Sequence, residues 1–228
     1  MDSREHPFDL LFVKGRIKSK MILKLIVCIV VGYLFGCFST GYLVGKHNNV
    51  NIKEEGSGNS GATNALRTMG IKAGLVTFVG DLLKAFIPVL VVRYMFHDTD
   101  LWYLYGLYAG LGVVLGHNFP FWMHFRGGKG IAVTSAVIVS LADWRITIIG
   151  LILFIAIVAA TRYVSVGSLM VAWLITINTI LFWRGSEYFI HMLVISLCFT
   201  ALAYVRHAQN IKRLLNGTES KLGSKKEK

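Results

Sequence analysis

Three polar segments interrupt an otherwise apolar chain, and each has residue types suited to holding a phosphate. The first reads Glu54-Glu55-Gly56-Ser57-Gly58-Asn59-Ser60-Gly61-Ala62-Thr63-Asn64, then Arg67. Small residues there let backbone N–H groups turn toward an anion. Ser57, Asn59, Thr63 and Asn64 add side-chain donors, and the Arg67 guanidinium is a fork that matches phosphate oxygens. A helix starting near Ala62 would add the positive potential of its N-terminus. The plainer reading is a flexible linker, but linkers seldom mix Asn-Ser-Gly-Ala-Thr-Asn with a following arginine.

The second segment reads Gly116-His117-Asn118-Phe119-Pro120 and then Phe125-Arg126-Gly127-Gly128-Lys129-Gly130. Its glycines would keep backbone near a phosphate, with the Lys129 ammonium beside it. It is not a nucleotide-binding P-loop, because Gly130 stands where Ser or Thr would follow the lysine. The third reads Arg206-His207-Ala208-Gln209-Asn210-Ile211-Lys212-Arg213-Leu214, with Gly217 and Glu219 beyond. On a helix His207, Asn210 and Leu214 fall on one face, so His207 and Asn210 could reach one substrate together. Alone, this segment reads equally as a basic stretch that holds lipid headgroups.

The elements that must position these segments are membrane helices. Hydrophobic residues make up 54% and charged residues 16% of 228, with mean hydropathy +0.58. A soluble domain of this size is about a quarter charged, so lipid must cover most of this exterior. A spanning helix needs about 20 apolar residues. Leu25–Val44, Ala73–Phe96, Leu101–Trp122, Ile146–Ala160, Val166–Trp183 and Tyr188–Tyr204 are candidates, and Ile131–Leu141 is apolar but short. The expectation is an all-α polytopic bundle of about seven membrane helices. Gly32/Gly36, Gly41/Gly45, Gly106/Gly110 and Gly112/Gly116 have the small-residue spacing that lets such helices approach closely.

The formal net charge of +12 sits mainly in loops and tails. That distribution fits positive-inside topology and membrane lipid, and makes nucleic acid a poor partner. Cys28, Cys37 and Cys198 lie in apolar runs without a CxxC pair, so neither a disulfide framework nor a zinc site is expected. Residues 1–20 form a basic arm that reads as a surface segment, as the product of an upstream start, or as a signal n-region. The last is opposed by the lack of an A-x-A-like site and by the length of the following run. Residues 21–219 read as one membrane-embedded domain and 220–228 as a basic tail. The chain is taken to be a monomer.

Together the three segments resemble the bacterial acyl-phosphate:glycerol-3-phosphate acyltransferases, from Met21 to about Glu219. Asp81, Lys84 and the segment with Arg162, Ser165 and Ser168 look similar as well, while the arm before Met21 departs from that pattern. The resemblance implies transfer of a fatty acyl group from acyl phosphate to the 1-hydroxyl of sn-glycerol 3-phosphate, with no metal or nucleotide cofactor. It implies that Ser57, Arg67, Lys129, His207 and Asn210 hold phosphates or act in transfer. Asn59, Thr63, Asn64 and His117 would support them, and Gly127, Gly128 and Gly130 would keep the backbone close to phosphate. His207, Asn210 and Ser57 are the candidate catalytic groups. Either His207 or a substrate phosphate oxygen could take the hydroxyl proton. The expected site is the cytoplasmic face of a bacterial inner membrane, with the N-terminus outside and the C-terminus inside.

Two other classes remain open at this stage. An organophosphate transporter would use Asp81 and Lys84 within a span, although transporters usually bind near the midplane rather than in loops. A non-enzymatic lipid scaffold would leave the loop residues without a small-molecule role. His-Asp activation of the H-x-x-x-x-D kind is excluded, since none of the seven histidines has an aspartate five residues on.

Overall fold

The computed structural model describes residues 7–223, so residues 1–6 of the basic arm and 224–228 of the basic tail fall outside it. Ten α-helices are present among the described residues. They are α1 (Pro7–Gly36), α2 (Thr40–His47), α3 (Ala62–Phe96), α4 (Trp102–Asn118), α5 (Ile131–Leu141), α6 (Trp144–Thr161), α7 (Val164–Val171), α8 (Leu174–Phe182), α9 (Phe189–Arg206) and α10 (Ala208–Leu215). Five stretches are long and apolar enough to cross a membrane: Ser19–His47, Ala62–Phe96, Trp144–Thr161, Val164–Phe182 and Phe189–Arg206. Each of the seven apolar runs is mainly helical, although the first breaks at 37–39, Val166–Trp183 divides at 172–173 and α4 ends at Asn118. The two outside those five become α4, of 17 residues, and α5, of 11 residues.

Burial separates a centre from a lipid-facing shell. Almost every residue of α4 is buried, including Tyr103, Leu104, Leu107 and Val113. On α6 only Gly150 is buried, and Ile149, Leu151, Ile152 and Ile155 face outward. An outward apolar face of that kind is stable only where hydrocarbon replaces water. The helix α4 packs along α1, α3, α5 and α9. Its contact with α1 is backbone to backbone. A Cβ on Gly32 or Gly36 would run into Ala109 or Val113, and one on Gly112 or Gly116 into Ile29 or Tyr33. Lipid tails are as apolar as the helices, so close approach of this kind supplies the dispersion energy that desolvation cannot.

The helix α3 joins the first polar segment to a spanning helix through a break at Gly70, whose φ is +85°. The sequence suggested a helix start near Ala62 and a span from Ala73, and the kink connects them. At 1.5 Å per residue α5 is too short to cross a core of about 30 Å. Its role is to present its N-terminus to the site.

Candidate active site

Local geometry in the first segment is set by Asn64, which is buried. Its Oδ1 accepts from the Ser57 N–H at 2.9 Å, and its Nδ2 donates to Glu55 O at 3.0 Å and Ile52 O at 3.3 Å. The loop is thereby folded back on the first turn of α3. Gly61 is the N-cap of that helix and no side chain caps it. The helix end is left open beside Ser57, Ala62, Thr63 and Arg67.

The second segment is stapled in a different way. The Gly127 and Gly128 N–H groups donate to Asn118 O (3.0 Å) and His117 O (2.9 Å), which completes the C-terminus of α4. The carbonyls of the same two glycines accept from Arg206 Nη2 (3.0 Å) and Nε (3.1 Å). A Cβ on Gly128 would enter the His117 ring. Behind that ring, Lys84 Nζ lies 2.9 Å from Asp81 Oδ1, 2.8 Å from His117 Nδ1 and 2.7 Å from Phe38 O. Three donors meet three acceptors, so the buried ammonium is fully paired. Lys129 follows, and Gly130, with φ +86°, turns the chain into α5 without a side-chain cap. A second helix N-terminus therefore opens beside the first.

The third segment closes the site. His207 is buried, and its Nδ1 donates to Ala203 O at 2.8 Å, which leaves Nε2 to face the cavity as an acceptor. Burial lowers its pKa to about 4, outweighing the Ala203 carbonyl, so the ring is neutral near pH 7. Asn210 takes the Lys129 ammonium on Oδ1 (2.5 Å) and gives Nδ2 to Glu219 Oε1 (2.6 Å). Glu219 Oε2 accepts from Arg213 Nε at 2.7 Å. Burial would push the Glu219 carboxyl up, but the bonds from Asn210 and Arg213 hold it below its ordinary pKa. A strand of chain past α10 is pinned by Leu222, whose N–H donates to Arg162 O at 2.7 Å.

These pieces enclose a cavity of about 430 Å³. Ser57, Thr63, Asn64, Arg67, His117, Lys129, Gly130, His207 and Asn210 all line it, as the sequence suggested they would cluster. Asn59 and Gly127 line an adjoining cavity instead, and Gly128 lies beneath the loop against His117. The N–H groups of Gly127 and Gly128 are engaged by α4, so the part of this loop that faces the cavity begins at Lys129. Arg213 joins His207 and Asn210 in the lining, and Leu214 does not. Arg213 and Glu219, to which the sequence reading gave no role, belong to the polar wall. The i, i+3 spacing from Asn210 is the signal that would have found Arg213. Ser165 and Ser168 near the start of α7 complete that wall. The other wall is apolar, with Phe78, Ile131, Phe154, Val164 and Leu222. Cations and uncapped helix ends together with apolar side chains in one lining suit an amphiphile with an anionic head.

The family model for glycerol-3-phosphate acyltransferase matches residues 26–217. Among relatives, the glycerol-3-phosphate acyltransferase of Clostridioides difficile (strain 630) is 42% identical over 211 residues, covering 90% of this chain and 99% of that protein. The enzyme of the same name from Thermoanaerobacter sp. (strain X514) is 39% identical over 199 residues, covering 87% and 96%. The fold is similar to the crystal structure of PlsY (YgiH), an integral membrane glycerol 3-phosphate acyltransferase, in its glycerol 3-phosphate form. The TM-score is 0.76 at 32% identity, covering 87% of this chain and 96% of that one. The lysophosphatidic acid form of PlsY gives a TM-score of 0.73 at 33% identity. With sequence, family model and fold in agreement along nearly the whole membrane domain, the chain belongs to the glycerol-3-phosphate acyltransferase family and is an integral membrane acyltransferase.

Proposed function

We propose that this enzyme transfers a fatty acyl group from acyl phosphate to the 1-hydroxyl of sn-glycerol 3-phosphate. The products are 1-acylglycerol 3-phosphate (lysophosphatidate) and inorganic phosphate, the first acylation of membrane phospholipid synthesis. The observation that carries this reading is a single cavity lined both by Arg67, Lys129 and Arg213 and by Phe78 and Phe154. The solved relatives named for their glycerol 3-phosphate and lysophosphatidic acid forms are consistent with that acceptor and product.

Two anions must be brought together against their repulsion, and the cations and the N-termini of α3 and α5 offset it. The acyl chain lies along the apolar wall toward lipid. The hydroxyl oxygen attacks the carbonyl carbon of acyl phosphate, and the bond from that carbon to the bridging oxygen breaks. Phosphate leaves with the electron pair and takes the hydroxyl proton. The second ionisation of phosphate lies near neutral pH, so it is a better base there than a histidine held near 4. His207 Nε2 then accepts a hydrogen bond from the neighbouring 2-hydroxyl of glycerol 3-phosphate and orients the acceptor, leaving the 1-hydroxyl proton to the phosphate. Ser57 and Thr63 supply hydroxyl donors, and Asn210 fixes the Lys129 ammonium. Most of the acceleration comes from positioning and charge neutralisation, since an acyl phosphate already has a good leaving group.

Both substrates reach the site from the cytoplasm in this reading, so the three segments face that side of a bacterial inner membrane. A reporter fused after Lys228 should be active only in the form that reads cytoplasmic location, and activity only outside the cell would overturn the orientation. The activity itself is tested with purified protein in detergent, labelled glycerol 3-phosphate, and palmitoyl phosphate or palmitoyl-CoA as donor. Lysophosphatidate formed from palmitoyl phosphate and not from palmitoyl-CoA supports the proposal. Product from palmitoyl-CoA alone would contradict it, and no product with either would bring a transport role forward.

A further inference from the structure

Beside the transfer cavity lies a second one, of about 960 Å³, on the loop side of Lys129. Ser57, Lys129, Asn210 and Arg213 border both, so the Lys129–Asn210 hydrogen bond stands between them. Lys53, Arg126, Lys129, Arg206 and Arg213 all line the second cavity, and none of its lining residues is an aspartate or glutamate. This imbalance is built rather than incidental. Lys53 Nζ donates to the Arg126 carbonyl, and the Arg206 guanidinium is fixed by the Gly127 and Gly128 carbonyls and stacks 5.2 Å from the Phe119 ring. Those partners are neutral, so they hold the cations in place without cancelling their charge. Burial first, and then the charges of Arg206 and Arg126, hold Lys53 below its ordinary pKa.

We propose that this second cavity is a loading site for a phosphate monoester from the aqueous side, which captures glycerol 3-phosphate before it passes Lys129 into the transfer cavity. The inference rests on the acyltransferase reading for the identity of the monoester. A chamber of one charge sign with low-dielectric walls focuses the field and raises the local concentration of an oppositely charged ligand. Its polar residues, such as Asn59 and Gln209, suit a small hydrated anion, and the apolar wall that an acyl chain needs belongs to the other cavity.

The test uses the full-length protein with two variants outside the transfer machinery, Arg126→Gln and Gln209→Glu. Both side chains are exposed, so neither change leaves a buried group unpaired. The KM for glycerol 3-phosphate should rise about three- to ten-fold in each, with kcat and the KM for palmitoyl phosphate unchanged. The salt dependence of kcat/KM for glycerol 3-phosphate should flatten in Arg126→Gln. Calorimetric titration with glycerol 3-phosphate in the absence of donor should show weaker binding in both variants. That arm does not depend on which acyl donor is used, so failure of the donor assignment is distinguishable from failure of the loading site. Unchanged KM and unchanged binding in both variants would overturn the proposal. So would an effect confined to vesicles of phosphatidylglycerol and absent in neutral detergent, since the cations would then be holding lipid headgroups.

Discussion

Lys129 and His207 face the same cavity and are both shifted by burial, with opposite consequences for their charge at neutral pH. Burial is the largest cause of the Lys129 pKa of about 8, and Arg213, Arg67 and Arg206 add to it against Glu219. The free enzyme therefore loses its central cation as pH rises through about 8. The profile of kcat/KM for the acyl donor should fall on that alkaline side, because this ratio reports the unliganded enzyme. In Lys129→Arg the alkaline limb should vanish, since a guanidinium stays charged, while part of the activity survives. A limb still near 8 in that variant would assign it to another group. His207, at about 4, should give no limb near its ordinary 6.5. Arg67 and Lys129 stood out by charge in glycine-rich loops, and the family resemblance joined His207 and Asn210 to them. The engagement of Gly127 and Gly128 was not legible, because their N–H groups answer to the free carbonyls of His117 and Asn118. Which carbonyls need donors depends on where α4 ends.

At the scale of elements, the site depends on where helices begin. The N-termini of α3 and α5 meet because α3 packs on both α4 and α5, and α4 is held against α1 through glycine faces. Gly112→Val should therefore destabilise the bundle by about 1–3 kcal/mol through overpacking against the Ile29 carbonyl. The change should appear in a detergent thermal-shift assay as a lower melting temperature, without a selective change in either KM. An unaltered melting temperature would mean that α1 and α4 can separate without cost. Hydropathy alone located all seven apolar runs, since an apolar run in lipid has few options besides a helix. It did not reveal that α4 is interior and α6 peripheral. Both are apolar all round, and a helix without an amphipathic stripe does not announce its neighbours. The glycine pairs carried the missing information. Their spacing was visible, but the choice of partner helix was not.

For the molecule as a whole, the three polar segments come from distant parts of the chain and meet at one end of the bundle. That convergence was expected from the residue types and is what the fold achieves. Two cavities share that end, one lined by Phe154 and Leu222 among others and the other by Lys53 and Arg126. The division could not be read from sequence, because Ser57, Lys129 and Asn210 serve both cavities and only their placement shows it. Ser220 and Leu222, in the stretch read as the start of a basic tail, also line the transfer cavity. That stretch is held by the Leu222 N–H on Arg162 O and by the Arg162 guanidinium on Leu222 O, bonds to backbone that Leu222 itself does not advertise. In the proposed mechanism the Lys129 ammonium neutralises the phosphate that leaves during acyl transfer. The most direct test is the rate of lysophosphatidate formation from palmitoyl phosphate by wild type and by Lys129→Ala at saturating substrate. Lys129→Ala should be slower by about 10²-fold or more, the scale of removing one preorganised charge donor from a transition state. Turnover in Lys129→Ala close to that of wild type would contradict that mechanism.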